Sequence, residues 1–192
     1  MDPALPDEAA DPRMTVEEYL ALFERGLLEA DDRVELLDGV VVAMAPSNPP
    51  HCGNTERVVR ALRRALGERA HVREEKPLIV GRHSLPEPDA AVVPVDPYDY
   101  TRSHPKTAFL VVEVSDSSLP QDRLSKSRIY AGDGIPEYWI VNLRQDRIEM
   151  LRDPDRRRRC YRETTIVARG TRLELVALPS ATVLSDDLLP PV

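Results

Sequence analysis

Two acidic residues stand where the chain is otherwise apolar. Glu113 lies inside the run FLVVEVS at residues 109–115, and Asp89 opens the run DAAVVPV at residues 89–95. A carboxylate in a buried strand costs free energy unless a partner, a hydrogen bond or a metal ion compensates it. If these strands are neighbours, both carboxylates can bind one divalent cation. Mg²⁺ is the predicted cofactor, with Mn²⁺ as an alternative, because Mg²⁺ prefers one or two carboxylates plus water and phosphate oxygens.

A lysine is the third candidate for chemistry. Phosphodiester hydrolysis needs a group that orients the attacking water or offsets charge on the phosphate. Lys126 follows the Glu113 strand on a predicted helix, and it is one of three lysines in a chain rich in arginine. Other interpretations remain open: Asp89 as a strand-entry residue, Glu113 as a paired structural acid, and Lys126 as an exposed helix lysine.

Two further residues are weaker candidates. Glu35, in the segment RVELLDGV, is either an additional metal ligand or a surface strand acid. His51 precedes a predicted helix, where a helix N-terminus can contact phosphate, and it is either an accessory catalytic residue or a plain loop histidine. The serines after Glu113 lack the flanking glycines of a nucleophile elbow, so a serine hydrolase is not favoured.

Composition sets the class of protein. The chain has 192 residues, 42% of them apolar, and a formal net charge of −7. That charge argues against a protein that coats nucleic acid nonspecifically, because phosphate binding depends on Lys and Arg. No apolar run is long enough for a transmembrane helix, and the acidic beginning MDPALPDEAADPR is not typical of a secretory signal. We therefore expect a cytoplasmic protein with no membrane partner, and two reduced, unpaired cysteines at positions 52 and 160.

Local signals predict an α/β fold. Residues 1–13 read as a flexible tail, followed by a helix with a capping box at Thr15 and Glu18 that ends near Gly26. Asp38-Gly39 between two apolar runs predicts a β-hairpin. The next predicted elements are a helix over 54–66, strand pieces at 71–75 and 78–80, and strands at 89–95 and 109–115. A helix over 118–131 follows, which should pack through Leu124, Ile129 and Tyr130 and end at Gly132 and Gly134. The last elements are a strand at 137–143, its partner at 147–152, and further antiparallel strands around the RRRR turn at 156–159.

This order is typical of a mixed sheet with a helix on each face. We predict one domain over 14–192 with its core at about 51–152. Several segments also occur in an order that resembles a known family. The segments are VELLDGVVVAMAP, His51 at the start of the first core helix, PEPDAAVV, FLVVEVSDSS, a lysine on the next helix, and YAGDGIPEYWIVN. Together they resemble the Uma-type restriction endonuclease family, within the PD-(D/E)XK nuclease superfamily.

The resemblance implies a restriction-endonuclease-like α-β-β-β-α-β core and a magnesium site with Asp89 and Glu113 as ligands. Lys126 would replace the lysine that most members carry two residues after the glutamate, where this chain has Ser115. Asn142 similarly stands where an Asp is often found. The function expected is a Mg²⁺-dependent DNA endonuclease acting as a homodimer. The alternatives are a catalytically inactive nuclease-fold protein that binds nucleic acid or a protein partner, and a purely structural dimerisation module.

Overall fold

A computed structural model describes residues 13–116 and 118–191 of the chain. Nearly all of the predicted tail at 1–13 lies outside these residues. The strands are β1 (Val34–Leu37), β2 (Val40–Ala43), β3 (His71–Glu74), β4 (Ala90–Val93), β5 (Leu110–Ser115), β6 (Glu137–Asn142), β7 (Arg147–Asp155), β8 (Cys160–Val167), β9 (Arg172–Glu174) and β10 (Thr182–Leu184). The helices are α1 (Val16–Glu24), α2 (Pro49–Leu66), α3 (Leu119–Gln121), α4 (Ser127–Asp133) and α5 (Ser185–Leu188).

The central sheet is mixed, as predicted. Its six strands follow the order β3-β4-β5-β6-β7-β8. β5 and β6 are parallel, whereas the other neighbours are antiparallel. β1 and β2 form a separate hairpin, and β9 pairs with β10. The expected α/β class, the N-terminal helix and hairpin, and the extra C-terminal antiparallel strands are all confirmed.

Helices cover both faces of the sheet. Alternate residues of a strand point to opposite faces, so Val111 and Val112 of β5 belong to different cores. Val112 packs in the core that contains α2 residues such as Leu62. Val111 packs in the core that contains Ile129 and Tyr130 of α4. The sheet is therefore a buried platform between two helical layers, and β5 runs through its middle.

The hairpin β1–β2 is held against the rest of the molecule at its tip. Asp38 and Gly39 have φ values of +52° and +82°, which a two-residue turn of this hand requires. Arg159, the last residue of the arginine turn between β7 and β8, binds both carboxylate oxygens of Asp38 at 2.7 and 2.8 Å. The turn expected at 156–159 is confirmed, and one of its arginines anchors the hairpin.

Two predicted boundaries are wrong. The helix expected from residue 54 begins at Pro49, because the Asn48 side chain accepts a hydrogen bond from the His51 backbone and prolines are tolerated in a first turn. Residues 78–80 are not a strand. Their backbone N–H groups bond to loop carbonyls, including that of Ser84, across a tight turn.

The predicted packing of the 118–131 helix is also partly wrong. Between α3 and α4 the residues Asp122–Lys126 form a π-helical turn, which inserts one extra residue and shifts the helix phase. Leu124, expected in the core, is 66% exposed, while Asp122 and Lys126 face inward. The helix ends at Gly134 with φ +84°, and Gly132 remains within it.

No helix formed by the described residues is both long and apolar enough to cross a bilayer.

Candidate active site

Asp89 and Glu113 meet where β4 and β5 lie side by side. Ala90 pairs with Val112 in the antiparallel register, which brings the residue before Ala90 next to the residue after Val112. The Val114 N–H donates to Asp89 Oδ2 at 2.6 Å. Both acids are buried, with 8% of Asp89 and 3% of Glu113 exposed. The second oxygen of Asp89 remains directed toward other partners.

Lys126 reaches the same point from the helical layer. Its Nζ lies 3.0 Å from Glu113 Oε1 and 3.6 Å from Glu35 Oε2. The hydroxyl of Tyr130 donates to the same Glu113 oxygen at 2.9 Å. Only 6% of Lys126 is exposed, so the alternative of a surface helix lysine does not hold.

The charge state of Lys126 follows from its neighbours. Burial alone would lower the pKa of this amine, but the carboxylates of Glu113 and Glu35 outweigh burial and raise the pKa above its ordinary value. Lys126 is therefore a cation at neutral pH. It can donate hydrogen bonds and offset negative charge, but it cannot accept a proton.

Glu35 is brought into the site by the N-terminal hairpin. It is 2% exposed, which rules out a surface acid. Its carboxylate accepts hydrogen bonds from the Glu87 backbone at 3.3 Å and from Gln121 Nε2 at 3.4 Å. The contact between Asp38 and Arg159 that fixes the hairpin tip thus also fixes the strand that carries Glu35.

His51 joins the cluster from the first turn of α2. Its Nε2 lies 3.2 Å from Asp89 Oδ1. This hydrogen bond and the charge of Asp89 raise the pKa of the imidazole, although burial acts in the opposite direction. The five residues singled out in the sequence, Glu35, His51, Asp89, Glu113 and Lys126, therefore line one cleft of about 440 Å³.

Sequence reasoning missed several acids of this cleft, and two of them, Asp122 and Glu75, matter for its chemistry. Asp122 is 2% exposed and accepts a hydrogen bond from Ser118 Oγ at 2.7 Å. Its four-residue spacing to Lys126, and from there to Tyr130, was the available signal, and the π-helical turn places all three on the inner face. Glu75, directly after β3, also lines the cleft, and nothing in its sequence context marked it.

The cleft holds far more negative than positive charge. Nine aspartates and glutamates line it among the described residues, against three basic side chains, Arg33, Lys126 and His51. Burial is the main cause that raises the pKa of Glu113 well above its ordinary value, and the neighbouring carboxylates raise it further. Burial similarly raises the pKa of Asp122. Carboxylates packed this closely fit a divalent cation, which prefers oxygen ligands and would offset their repulsion.

The remaining candidates have structural roles or none in this cleft. Ser115 is fully buried at the end of β5, and Asn142 is buried in β6, where it hydrogen-bonds to Glu149 at 3.0 Å. Trp139 lies in the core, as predicted. The cysteines at positions 52 and 160 are free, as expected, and both are exposed.

Comparison with known proteins finds both a matching family and a similar solved structure. A family model described as "Putative restriction endonuclease", Uma2, matches residues 16–186. A solved structure from Anabaena variabilis, described as a putative nuclease belonging to DUF820, is similar with a TM-score of 0.71 and 16% sequence identity. That match covers 91% of this chain and 97% of the other, and it supports the same fold. The chain matches no curated protein. Since the family model spans most of the sequence, this chain belongs to the Uma2 family of putative restriction endonucleases.

Proposed function

We propose that this protein is a metal-dependent endonuclease that hydrolyses DNA phosphodiester bonds at the cleft between the β1–β2 hairpin and the central sheet. The observation that carries the proposal is a buried lysine within 3.0 Å of a buried glutamate, beside an aspartate on the adjacent strand. The restriction endonuclease family of the chain supports the same reaction.

Asp89, Glu113 and Glu35 would hold a divalent cation, with Mg²⁺ as the first candidate and Mn²⁺ as the second. Their oxygens fit such an ion because the cleft has a large excess of carboxylates. When bound, the cation supplies Lewis-acid polarisation of the phosphate and lowers the pKa of a bound water. It also offsets the repulsion that this acidic cleft would otherwise exert on a polyanionic substrate.

Lys126 would act on the attacking water and on the phosphate. In hydrolysis the water oxygen bonds to phosphorus, one P–O ester bond breaks, the water gives up a proton and the leaving oxygen gains one. Because Lys126 stays protonated, its role is to donate hydrogen bonds and stabilise negative charge. Glu113 accepts a hydrogen bond from the Lys126 amine, and Tyr130 donates to the same Glu113 oxygen. The positive charge of Lys126 is therefore positioned before the substrate binds.

One observation favours a second function, namely nucleic-acid or partner-protein binding without cleavage. Position 115 carries a buried serine where the resemblance expects the catalytic lysine. Lys126 reaches Glu113 from the helix instead. An active enzyme requires that the amine of Lys126 contacts the attacking water in place of a lysine at position 115. Metal-independent DNA binding without nicking would select the binding function.

We further propose that the enzyme acts as a homodimer in the cytoplasm. Two copies can bring one site to each strand of a duplex, and closed twofold symmetry is the commonest oligomeric arrangement. Light scattering of the purified protein measures the assembly, with a mass of about twice 21.6 kDa expected and a monomeric mass contradicting it.

The experiment for the proposed activity is nicking of supercoiled plasmid DNA with Mg²⁺ or Mn²⁺, and with EDTA. We expect metal-dependent nicking by the wild type and none by Asp89→Ala. Asp99→Ala removes the same side chain from an exposed loop beyond the opposite end of β4 and should nick at the wild-type rate. Full nicking by Asp89→Ala would overturn the site assignment, and a single-stranded RNA substrate run in parallel would show whether DNA is preferred.

A further inference from the structure

Three potential metal ligands converge on the open side of Asp89. His51 Nε2, an oxygen of Asp89 and an oxygen of Glu75 all lie within 4.8 Å of one another. They come from three separate elements: the first turn of α2, the entry to β4 and the residue after β3. Such convergence from distant parts of the chain is what a metal site requires, since its ligands must surround one point.

Within the part of the chain that the structure describes, the ligand atoms of these three residues have no hydrogen-bond or ion-pair partner outside the group. Asp89 uses Oδ2 to accept from the Val114 backbone, which leaves Oδ1 toward His51. The Glu75 carboxylate has no hydrogen bond or ion pair within the described part of the chain, although its backbone N–H donates to the Asp89 carbonyl at 3.3 Å. That backbone contact fixes the position of Glu75 relative to Asp89.

The imidazole of His51 is held by its helix. Asn48 caps α2 through the His51 backbone N–H at 3.0 Å, and its side-chain amide donates to Asp116 at 2.7 Å. His51 Nδ1 is buried and has no hydrogen-bond partner among the described residues. The ring therefore presents Nε2 to the cleft from a fixed backbone.

The Glu113 side of the cleft differs from this open side. Glu113 Oε1 is occupied by Lys126 and Tyr130, and the lysine charge lies against it. The lysine charge weakens the attraction of a cation to that end of the cleft, whereas no lysine or arginine among the described residues contacts the ligand atoms of His51, Asp89 or Glu75. The open side is thus the more favourable end of the cleft for a metal ion.

We infer that His51 and Glu75 are ligands, together with Asp89, of a divalent transition-metal ion. This inference rests on the proposed function, because it concerns the cation of the same cleft, and it adds two ligands and a metal preference. Imidazole nitrogen binds transition metals well, whereas Mg²⁺ prefers oxygen ligands. The site should therefore favour Mn²⁺ over Mg²⁺ more strongly than carboxylates alone would.

The test measures Mn²⁺ binding by electron paramagnetic resonance, in which the signal of free Mn²⁺ is lost on binding. Metal-free wild type, His51→Ala, Glu75→Gln and Glu74→Gln are titrated, and Mg²⁺ is then added as a competitor. We expect His51→Ala and Glu75→Gln each to weaken Mn²⁺ binding at least about tenfold. Glu74→Gln is the matched control, because Glu74 is the residue next to Glu75 but its own carboxylate contacts Arg63 at 3.5 Å. This variant should bind Mn²⁺ as the wild type does.

His51→Ala should also reduce the preference for Mn²⁺ over Mg²⁺, since only oxygen ligands remain. If His51 merely forms an ion pair with Asp89, its removal leaves Mn²⁺ binding unchanged or strengthens it, and this result overturns the inference. Unchanged binding by Glu75→Gln overturns it as well.

A measurement on the wild type covers the case in which a variant does not fold. Bound Mn²⁺ broadens the NMR signals of nearby nuclei, and the chain has four histidines whose ring signals can be followed. We expect the ring signals of His51 to broaden first in a substoichiometric titration, and earlier broadening of another histidine overturns the inference. Failure of the proposed function is separate, because it appears as absent DNA nicking in a wild type that still binds Mn²⁺ through His51.

Discussion

Glu113 and Glu137 are both buried in neighbouring parallel strands, and the free-energy cost of burying each carboxylate is offset in a different way. They are 3% and 0% exposed. The Glu137 carboxylate accepts from Trp139 Nε1 at 2.9 Å, from Arg152 Nε at 2.7 Å and from the Val176 backbone at 2.9 Å. Every one of these donors belongs to the fixed frame of the fold.

Glu113 has a different environment. Its partners, Lys126 and Tyr130, both contact the same oxygen. Burial raises the pKa of the carboxyl, Lys126 lowers it, and the other acids nearby raise it further, so that the pKa lies well above its ordinary value. A buried acid matched by arginine and backbone donors stabilises a fold, whereas a buried acid among other acids needs a further cation. Of the two similar glutamates, Glu113 therefore has the surroundings that the proposed active site requires.

The largest expected difference is between the matched variants Glu113→Gln and Glu137→Gln. Glu113→Gln should lower the rate of plasmid nicking by about a thousandfold, because it removes a proposed metal ligand and the partner that contacts Lys126. Glu137→Gln should destabilise the protein by about 3 kcal/mol, since Arg152 loses its buried partner, while the folded fraction keeps its nicking rate. Nicking rates and urea unfolding curves measured on both variants check this, and equal loss of rate in both would remove the distinction.

Lys126→Met is the next largest change. The substitution keeps much of the side-chain volume but removes the charge, and we expect nicking to slow by about a hundredfold. Lys106→Met is the control, because Lys106 is exposed at the other end of the β5 strand and should have no effect. A near-normal rate in Lys126→Met would show that the migrated lysine does not take part in the reaction.

Glu149 offers a test of a matched acid through pH. Burial alone would raise the pKa of Glu149, but hydrogen bonds from Arg123 and Asn142 outweigh it and lower the pKa below its ordinary value. A lowered folded-state pKa adds stability above the unfolded-state pKa of about 4.3, and this stability is lost as the pH falls through the folded-state value. Glu149→Gln should therefore cost about 2 kcal/mol at pH 7 and show a shallower loss of stability between about pH 5 and pH 3. Urea unfolding at several pH values measures both effects, and parallel curves for the variant and the wild type would contradict the expected pairing.

The smallest effects compare the hydroxyls of a buried tyrosine and a half-buried one. Tyr130 donates to Glu113 at 2.9 Å, and Tyr161 donates to the Ile135 carbonyl at 2.9 Å. Replacing either by Phe should cost about 1 kcal/mol of stability. Only Tyr130→Phe should also slow nicking, by a few fold, because only its hydroxyl positions an active-site carboxylate. Thermal unfolding and nicking assays on the pair test this, and equal rates would place Tyr130 among purely structural residues.

Much of the fold follows from local signals in the sequence. The capping box at Thr15, the Asp38-Gly39 turn and the apolar runs around Glu113 each correspond to a short-range physical requirement, and each is found where expected. The α2 boundary was misplaced because prolines that break most helices begin this one. Leu124 was misplaced because a π-helical turn shifts the face of a helix, and no local rule marks that turn.

The site was predictable only in part. Asp89 and Glu113 are conspicuous because acids are costly in apolar strands, and Lys126 is conspicuous because lysines are rare in this chain. Glu75 sits in a charged surface segment, so its proximity to Asp89 depends on the pairing of β3 with β4 and has no local signature. Glu137 could equally have been mistaken for a site residue, because in the sequence it resembles Glu113. Only the hydrogen-bond donors around its carboxylate reveal the difference.

Thermal unfolding with and without a divalent cation measures whether the excess of acids in the cleft serves to bind metal. In EDTA, and then with saturating Mg²⁺ or Mn²⁺, the wild type should gain roughly 2–3 kcal/mol, a rise of several degrees in the unfolding temperature. The double variant Asp89→Asn, Glu113→Gln should show no such rise, while Glu137→Gln should start lower and still gain as much as the wild type. If the unfolding temperature of the wild type does not rise with metal, or if it rises equally in the double variant, then Asp89 and Glu113 do not bind a metal ion in this cleft.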